Sequence, residues 1–300
     1  MRVRRKAVAA LLLLGVLALA AGCARQAEEP AIEPKIAPPL IGEAGVLRVG
    51  VDLGYPPFAG RDRDVEAGLD IDVASAVASK LGLKLRTVQV APAEAATALA
   101  EGEVDIVMSV PLIDEVAGGV NIAGVYMMDG PAFFMRAEDV TEDAAEEGTL
   151  EAQAGQEATP AAETTPSADI ARMLSPYAFS NRKIGAQQGS PSYWALYYDL
   201  GEGAVTAYPT IREALQALSA AEVDVVAGSA VVSAYVARDF AGVVFAGQYG
   251  AATPLGIAVS PENTDLAAEV RGVLDELAKG GVIETIRTTW AGTLPRLVIP

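Results

Sequence analysis

From about residue 46 onward, short apolar runs alternate with longer stripes of apolar residues at helical spacing. The run VLRVGV (46–51) has the composition of a buried strand, and it ends in the turn LGYPPF. The segment DLAAEVRGVLDELAKGG predicts an amphipathic helix that ends at Gly280 and Gly281. Its apolar stripe comprises Leu266, Val270, Leu274 and Leu277.

Two further helices have recognisable ends. The segment GLDIDVASAVASKLG predicts a helix that starts at Asp70 or Asp72 and ends at Gly82. Thr210 and Glu213 have the spacing of a capping box at the start of IREALQALSA.

The chain repeats itself. ALAEGEVDIV (98–107) is echoed by ALSAAEVDVV (217–226), and VGVDLGYP (49–56) is echoed more loosely by IGAQQGSP (184–191). Each half therefore runs from a strand through a Gly-x-Pro turn to helices and a strand that begins with EVD. This order predicts an α/β fold of two doubly wound lobes, each with a mostly parallel sheet.

The N-terminal segment is typical of an exported lipoprotein. Four basic residues precede fifteen apolar or small ones (7–21), a run short for a bilayer span and suitable for a signal peptide. The following AAGC resembles the bacterial lipoprotein processing box, although that box usually has Leu where Ala20 stands. We expect a signal peptide at 1–22, lipidation of Cys23, the only cysteine, and a flexible tether over 23–45.

Negative charge is concentrated in one segment. The formal net charge is −17, and residues 137–171 contain ten acids and no base. Because this stretch has almost no large apolar side chains, we predict a disordered insertion at about 138–169. No basic stripe occurs elsewhere, which argues against nucleic-acid binding.

The chain contains no histidine. This excludes Ser-His and Cys-His nucleophile pairs and every metal site that needs a histidine ligand. We therefore expect a binding protein rather than an enzyme, with no cofactor and no metal.

Ligands of doubly wound sheets collect where strands end, and both Gly-x-Pro turns lie there. Tyr55 and Phe58 offer aromatic rings on a stiffened turn. Asp52 either accepts a hydrogen bond from a ligand ammonium or binds local backbone N–H groups. The second turn is expected at a helix N-terminus, which favours an anionic group. It contributes Gly189, Ser190, Ser192 and Tyr193.

Several stretches together resemble the bacterial extracellular solute-binding proteins of ABC importers, in the branch for polar amino acids. They include LRVGVDLGYPPF, ALAEGEVDIVMS, EALQALSAAEVDVVAGS and LDELAKGGVIETIRTTWAG. The resemblance implies the type II periplasmic-binding-protein-like fold, with two segments crossing between the lobes near DGPAFFMR and FAGQYGAATPLG. It also implies a ligand cleft between the lobes, with residues 46–132 and 248–300 forming lobe 1 and residues 133–247 forming lobe 2.

The same resemblance marks two departures. The family usually carries an arginine for the substrate carboxylate after the strand that ends at Ser109, where this chain has Val116 or Ala117. The family's acid for the substrate ammonium falls at Ser229. Ser109 and Ser229 complete the candidate ligand-binding set. Arg61 or Arg63 is the available substitute for the missing arginine.

The resulting expectation is a lipid-anchored extracytoplasmic protein that captures a small polar or amino-acid-like solute by lobe closure. Its partners are that solute, an ABC permease and, through the lipid, the membrane. Two alternatives stay open: a sensor or interaction module on the same fold, and an enzyme similar to cyclohexadienyl dehydratases.

Overall fold

The computed structural model describes residues 33–140 and 170–299. The predicted signal peptide, Cys23, most of the predicted tether and most of the predicted acidic insertion lie outside the described residues. Within the two described ranges, no helix is long and apolar enough to cross a bilayer.

The described residues form thirteen strands and eight α-helices. The strands are β1 (Val46–Val51), β2 (Gly54–Tyr55), β3 (Ala59–Asp62), β4 (Val65–Ala67), β5 (Lys84–Gln89), β6 (Ile106–Pro111), β7 (Asn121–Asp129), β8 (Pro131–Arg136), β9 (Ile184–Gln187), β10 (Val205–Tyr208), β11 (Val225–Ser229), β12 (Val243–Gln248) and β13 (Thr253–Val259). The helices are α1 (Leu69–Leu81), α2 (Ala95–Ala100), α3 (Asp114–Ala117), α4 (Pro191–Leu200), α5 (Ile211–Ser219), α6 (Ala230–Ala237), α7 (Thr264–Lys279) and α8 (Val282–Ala291).

Two five-stranded sheets form the cores of the two lobes. The first has the strand order β5-β1-β6-β13-β7, and the second has the order β10-β9-β11-β8-β12. In the first sheet only β13 runs against its neighbours, and in the second only β8 does. The prediction of two α/β lobes with mostly parallel sheets is confirmed.

The chain changes sheet twice, and each change is short. Gly130 alone separates β7 from β8, and residues 249–252 separate β12 from β13. The two connections lie side by side, because a Cβ added to Gly130 would lie 2.9 Å from the Cα of Ala252. Each connection leads directly into the antiparallel strand of the sheet it enters.

The repeated EVD sequence has the same structural role in both lobes. The Asp105 carboxylate accepts the backbone N–H of Arg48 at 2.8 Å, at the start of β1. The Asp224 carboxylate accepts the backbone N–H of Lys183 at 2.9 Å, just before β9. In return, each aspartate donates its own N–H to the carbonyl of the same arginine or lysine. The repeated aspartate therefore joins two neighbouring parallel strands at their N-terminal ends.

The predicted helix ends are largely correct. The side chain of Thr210 accepts the N–H of Glu213 at 3.2 Å, and the predicted stripe of α7 is buried. The helix α1 ends at Gly82 as predicted, but it begins at Leu69 after Gly68 rather than at Asp70 or Asp72. The turn before the helix determines this start: Leu69 and Asp70 donate their N–H groups to the carbonyls of Pro57 and Phe58.

The C-terminal segment is attached to the second connection through Gln248. The Gln248 side chain is fully buried, donates to the carbonyls of Gly250 and Val298, and accepts the N–H of Val298, all at 2.8 Å. Its backbone also pairs with Arg172 and Leu174. One residue, through its side chain and its backbone, thus ties three separate parts of the chain together beside the connection.

Candidate functional site

The aromatic turn, LGYPPF (53–58), lies between β1 and β3 and holds Tyr55 against Phe58. The rings of Tyr55 and Phe58 are stacked with centroids 5.3 Å apart. Phe58 is 1% exposed and belongs to the core, whereas Tyr55 is 44% exposed. Of the two predicted aromatic contacts, only Tyr55 faces solvent, and Phe58 supports it from below.

The Tyr55 hydroxyl faces the second lobe. Burial raises the pKa of Tyr55 to about 12, the negative charge of Asp129 acts in the same direction, and the nearby Ser229 hydroxyl opposes both. Tyr55 follows β1 of the first lobe and Ser229 ends β11 of the second. The structure therefore brings together one predicted residue from each lobe.

Asp129 lies beneath this pair, at the first connection between the lobes. The Ser229 hydroxyl lies 2.7 Å from Oδ2 and 3.0 Å from Oδ1 of Asp129, and Oδ1 also accepts the N–H groups of Gly130 and Val231. Burial raises the pKa of the Asp129 carboxyl, and these hydrogen bonds oppose the shift. The residue still keeps intermediate exposure.

Asp52 makes hydrogen bonds at the base of the aromatic turn. Its Oδ1 accepts the N–H of Gly54 at 3.0 Å and the side-chain amide of Gln89 at 3.1 Å. The sequence left two roles open for Asp52, and the structure shows the local one, a hydrogen bond from the backbone N–H of Gly54. The residue is half-buried at the base of the aromatic turn.

Ser109 is engaged inside the first lobe. Its hydroxyl donates to the Asp70 carboxylate at 2.9 Å, and the Tyr126 hydroxyl donates to the same oxygen at 2.5 Å. The Ser109 N–H in turn donates to the Tyr126 oxygen at 2.8 Å. Complete burial raises the pKa of Asp70 to about 6, although both hydroxyl donors act to lower it. Ser109 thus belongs to a buried polar network rather than to an exposed surface.

This network predicts a measurable pH dependence of stability. Because the pKa of Asp70 is higher in the folded chain than its ordinary value of 3.8, the folded state binds the extra proton between about pH 4 and pH 6. The contribution of Asp70 to the free energy of unfolding should therefore fall, by about 3 kcal/mol, as the pH rises through that window. Asp70→Asn should remove this fall, because its oxygen still accepts both hydroxyls.

Urea unfolding of the wild type and Asp70→Asn at pH 4.5 and pH 7.5 measures the effect. The relative stability of the variant should increase from the lower pH to the higher one. Comparing the two proteins cancels the contribution of every other carboxyl. A difference that does not change with pH would show that Asp70 is ionised at both values.

The second predicted turn is a helix cap. Gly189 has a left-handed φ of 72°, and Ser190 caps α4 by accepting the N–H of Tyr193 at 3.1 Å. Ser192 is buried, and the Tyr193 ring packs edge-on against Trp194. Within the described residues, no hydrogen bond or ring contact joins this turn to Tyr55. A ligand that bridges the two turns therefore stays a prediction, and the contact between the lobes nearest to Tyr55 is the bond from Ser229 to Asp129.

Arg61 and Arg63, the predicted substitutes for the missing arginine, lie in different surroundings. Arg61 forms an ion pair with Glu66 on the next strand, and Arg63 lies exposed at the tip of the β3–β4 hairpin with φ 56°. Val116, at the family's arginine position, packs partly buried against a core cluster. Between 87 and 135 the chain has no basic residue.

A cavity of about 1080 Å³ also lies between the two lobes. It is lined mainly by β7, α8 and residues 292–297 of the first lobe and by α6 and β12 of the second. Its lining includes Met128, next to Asp129, but none of Tyr55, Asp129 and Ser229.

Residues 47–293 match the sequence profile of the bacterial extracellular solute-binding proteins, family 3. The chain belongs to this family. The match covers both sheets, both connections and every candidate ligand-binding residue. No curated protein sequence is similar enough to count as a match.

Solved structures show the same fold for members of this solute-binding class. The chain resembles the substrate-binding protein of a polar amino acid ABC uptake transporter from Streptococcus thermophilus, with 18% identity, coverage of 83% of this chain and 86% of that one, and a TM-score of 0.64. It also resembles the unliganded L-cystine receptor of Neisseria gonorrhoeae, with 16% identity, coverage of 83% and 93%, and a TM-score of 0.61. A histidine kinase sensor domain similar to periplasmic binding proteins matches with 22% identity, coverage of 85% and 98%, and a TM-score of 0.52.

Sequence reasoning missed Asp129 at the candidate cleft of this solute-binding protein and Asp70 and Tyr126 of the buried network around Ser109. Asp70 was interpreted as a helix start, and it is the buried acceptor for Ser109. Asp129 lies 100 residues before Ser229, so no local pattern could pair them. The available signal was its position immediately before Gly130, within the predicted crossing segment.

Proposed function

We propose that this chain is a lipid-anchored extracytoplasmic solute-binding protein that captures a small polar or amino-acid-like solute and delivers it to an ABC importer. The family and its fold support a ligand-binding protein for ABC import. The proposal adds the anchor at Cys23, the cleft at Tyr55 and Ser229, and binding without catalysis.

The observation that supports the proposal is the bond between Ser229, at the end of β11 in the second lobe, and Asp129, at the end of β7 in the first, with the exposed ring of Tyr55 nearby. A solute at this position would touch both lobes, and it would favour the closed arrangement to the extent that it binds that arrangement better. The two short connections beside Gly130 are the natural hinge for such a motion.

A thermal-shift screen of amino acids, amines, peptides, nucleosides and organic acids tests the proposal. A ligand at 100 times its dissociation constant adds about 2.7 kcal/mol to stability, which is easily detected. If no compound shifts the unfolding midpoint, a small-molecule receptor is excluded and an interaction module is the better reading. Formation of aromatic product from prephenate or arogenate would instead indicate an enzyme.

Replacing Tyr55 with alanine should weaken binding of the identified ligand by about 10-fold or more, because a stacking face and a hydroxyl are lost together. Tyr198→Ala is the matched control, since Tyr198 is 78% exposed on α4. Isothermal titration of both variants gives the two dissociation constants. Equal affinities would remove Tyr55 from the site.

A further inference from the structure

The charge balance around Tyr55 depends on Asp129. The Oδ1 atom of Asp129 accepts the N–H groups of Gly130 and Val231, and the Ser229 hydroxyl, which has one hydrogen to donate, lies closer to Oδ2 than to Oδ1. Among the described residues, Oδ2 accepts only the Ser229 hydroxyl at 2.7 Å. A carboxylate oxygen has lone pairs for two acceptor contacts, so Oδ2 can accept one more donor.

No basic side chain of the described chain neutralises this carboxylate. The ion pairs of the described residues all involve other acids, and Asp52, Asp70 and Asp129 are in none of them. The negative charges of Asp52 and Asp129 both act on the Tyr55 hydroxyl. The region beneath Tyr55 is therefore negative and has no cationic partner of its own.

The exposed face of Tyr55 suits the same class of ligand. One face of its ring stacks on Phe58, and the residue remains 44% exposed. A cation above an aromatic ring is attracted by the ring quadrupole, most strongly where water is excluded. The exposed aromatic face and the nearby Asp129 carboxylate, which is in no ion pair of the described residues, are two independent features that favour a positive charge.

We infer that the cleft binds a small organic cation, with Asp129 as its charge partner, and that the ligand needs no carboxylate. The inference rests on the proposed function and specifies its ligand. The Asp129 carboxylate accepts the hydroxyl of Ser229, the position at which the resemblance places the family's acid. The absence of any base between 87 and 135 removes the usual reason to require a ligand carboxylate.

Matched ligand pairs test this specificity on the full chain in detergent. Agmatine and arginine share a guanidinium, cadaverine and lysine share an ammonium, and only the amino acid of each pair has a carboxylate. Isothermal titration should show that each amine binds at least as tightly as its amino acid and that glutamate does not bind. The affinity of the amines should also fall as the salt concentration rises.

Asp129→Asn should weaken amine binding by at least 10-fold. Asp224→Asn is the matched control, because Asp224 is also half-buried and accepts a backbone N–H. If Asp129→Asn does not fold, Ser229→Ala takes its place and should alter amine affinity, since it changes the hydrogen bonding of Oδ2 while the carboxylate remains.

The outcomes separate this inference from the proposed function. Binding of arginine and lysine without agmatine and cadaverine, or preferential binding of glutamate, would overturn the cationic inference and leave a solute-binding protein. Unchanged amine affinity in Asp129→Asn would also overturn it. A chain that binds none of the compounds, including those of the wider screen, would remove the proposed function itself.

Discussion

Replacing Asp105 with alanine is expected to lower the free energy of unfolding by about 3 kcal/mol, because it removes a buried carboxylate that pairs with the partly buried Arg48 and accepts two backbone N–H groups. The Asp105 carboxylate accepts the N–H groups of Gly42 and Arg48 at 2.8 Å and the Arg48 guanidinium at 2.7 Å. The side chains of Arg48 and Asp105 are 18% and 3% exposed. Removal of the Asp105 carboxylate therefore leaves the N–H groups of Gly42 and Arg48 and the Arg48 guanidinium without this acceptor.

The internal repeat supplies the control for this prediction. Asp224 makes the same bond to the neighbouring strand, but its side chain is 37% exposed and lies 3.8 Å from Arg136, which also pairs with Asp139. Asp224→Ala should therefore cost about 1 kcal/mol or less. Urea unfolding of both variants at one pH measures the two costs, and equal losses would show that burial does not distinguish the two sites.

Replacing Gly68 with alanine should lower the free energy of unfolding by about 2–4 kcal/mol, and it should also weaken ligand binding. Gly68 has φ 153°, and an added Cβ would lie 2.2 Å from the carbonyl oxygen of Phe58 and 2.7 Å from the Cα of Ala59. Both atoms belong to the backbone, so the clash can be relieved only by moving the chain. The chain that moves is the turn that holds Tyr55.

Gly272→Ala is the control for Gly68→Ala. Gly272 lies inside α7, and an added Cβ would meet nothing within 4 Å. Because alanine favours a helix interior, this variant should gain about 0.5–1 kcal/mol. Urea unfolding should give opposite signs for the two variants, and a stability of Gly68→Ala equal to that of the wild type would show that the turn adapts freely.

The elements that the sequence predicted best depend on neighbouring residues. Thr210 caps its helix, Gly82 ends α1, and Leu266 and Leu274 line the buried side of α7, because each of these features is determined within a few positions. The repeat correctly indicated two lobes, since each EVD segment immediately precedes a strand that its aspartate joins to the neighbouring strand.

The candidate site was harder to predict because its contacts join distant parts of the chain. The strand position of Ser109 was evident, but its engagement with Asp70 and Tyr126 depends on how α1 and β7 pack around β6. The turn that contains Ser190 has the residues of an anion site. In the structure the Ser190 hydroxyl instead caps its own helix by accepting the N–H of Tyr193. Asp129 acquires its role only where the two lobes meet.

The attachment of residue 298 to Gln248 has a practical consequence for measuring ligand capture. A fluorophore joined at position 299 would be held next to the second connection between the lobes, which we propose as part of the hinge. The fluorescence emission should then change when solute binding moves the lobes. The label itself would be attached 244 positions away from Tyr55 in the sequence. The far end of the chain is thus a suitable place for an optical reporter that leaves the binding groove untouched.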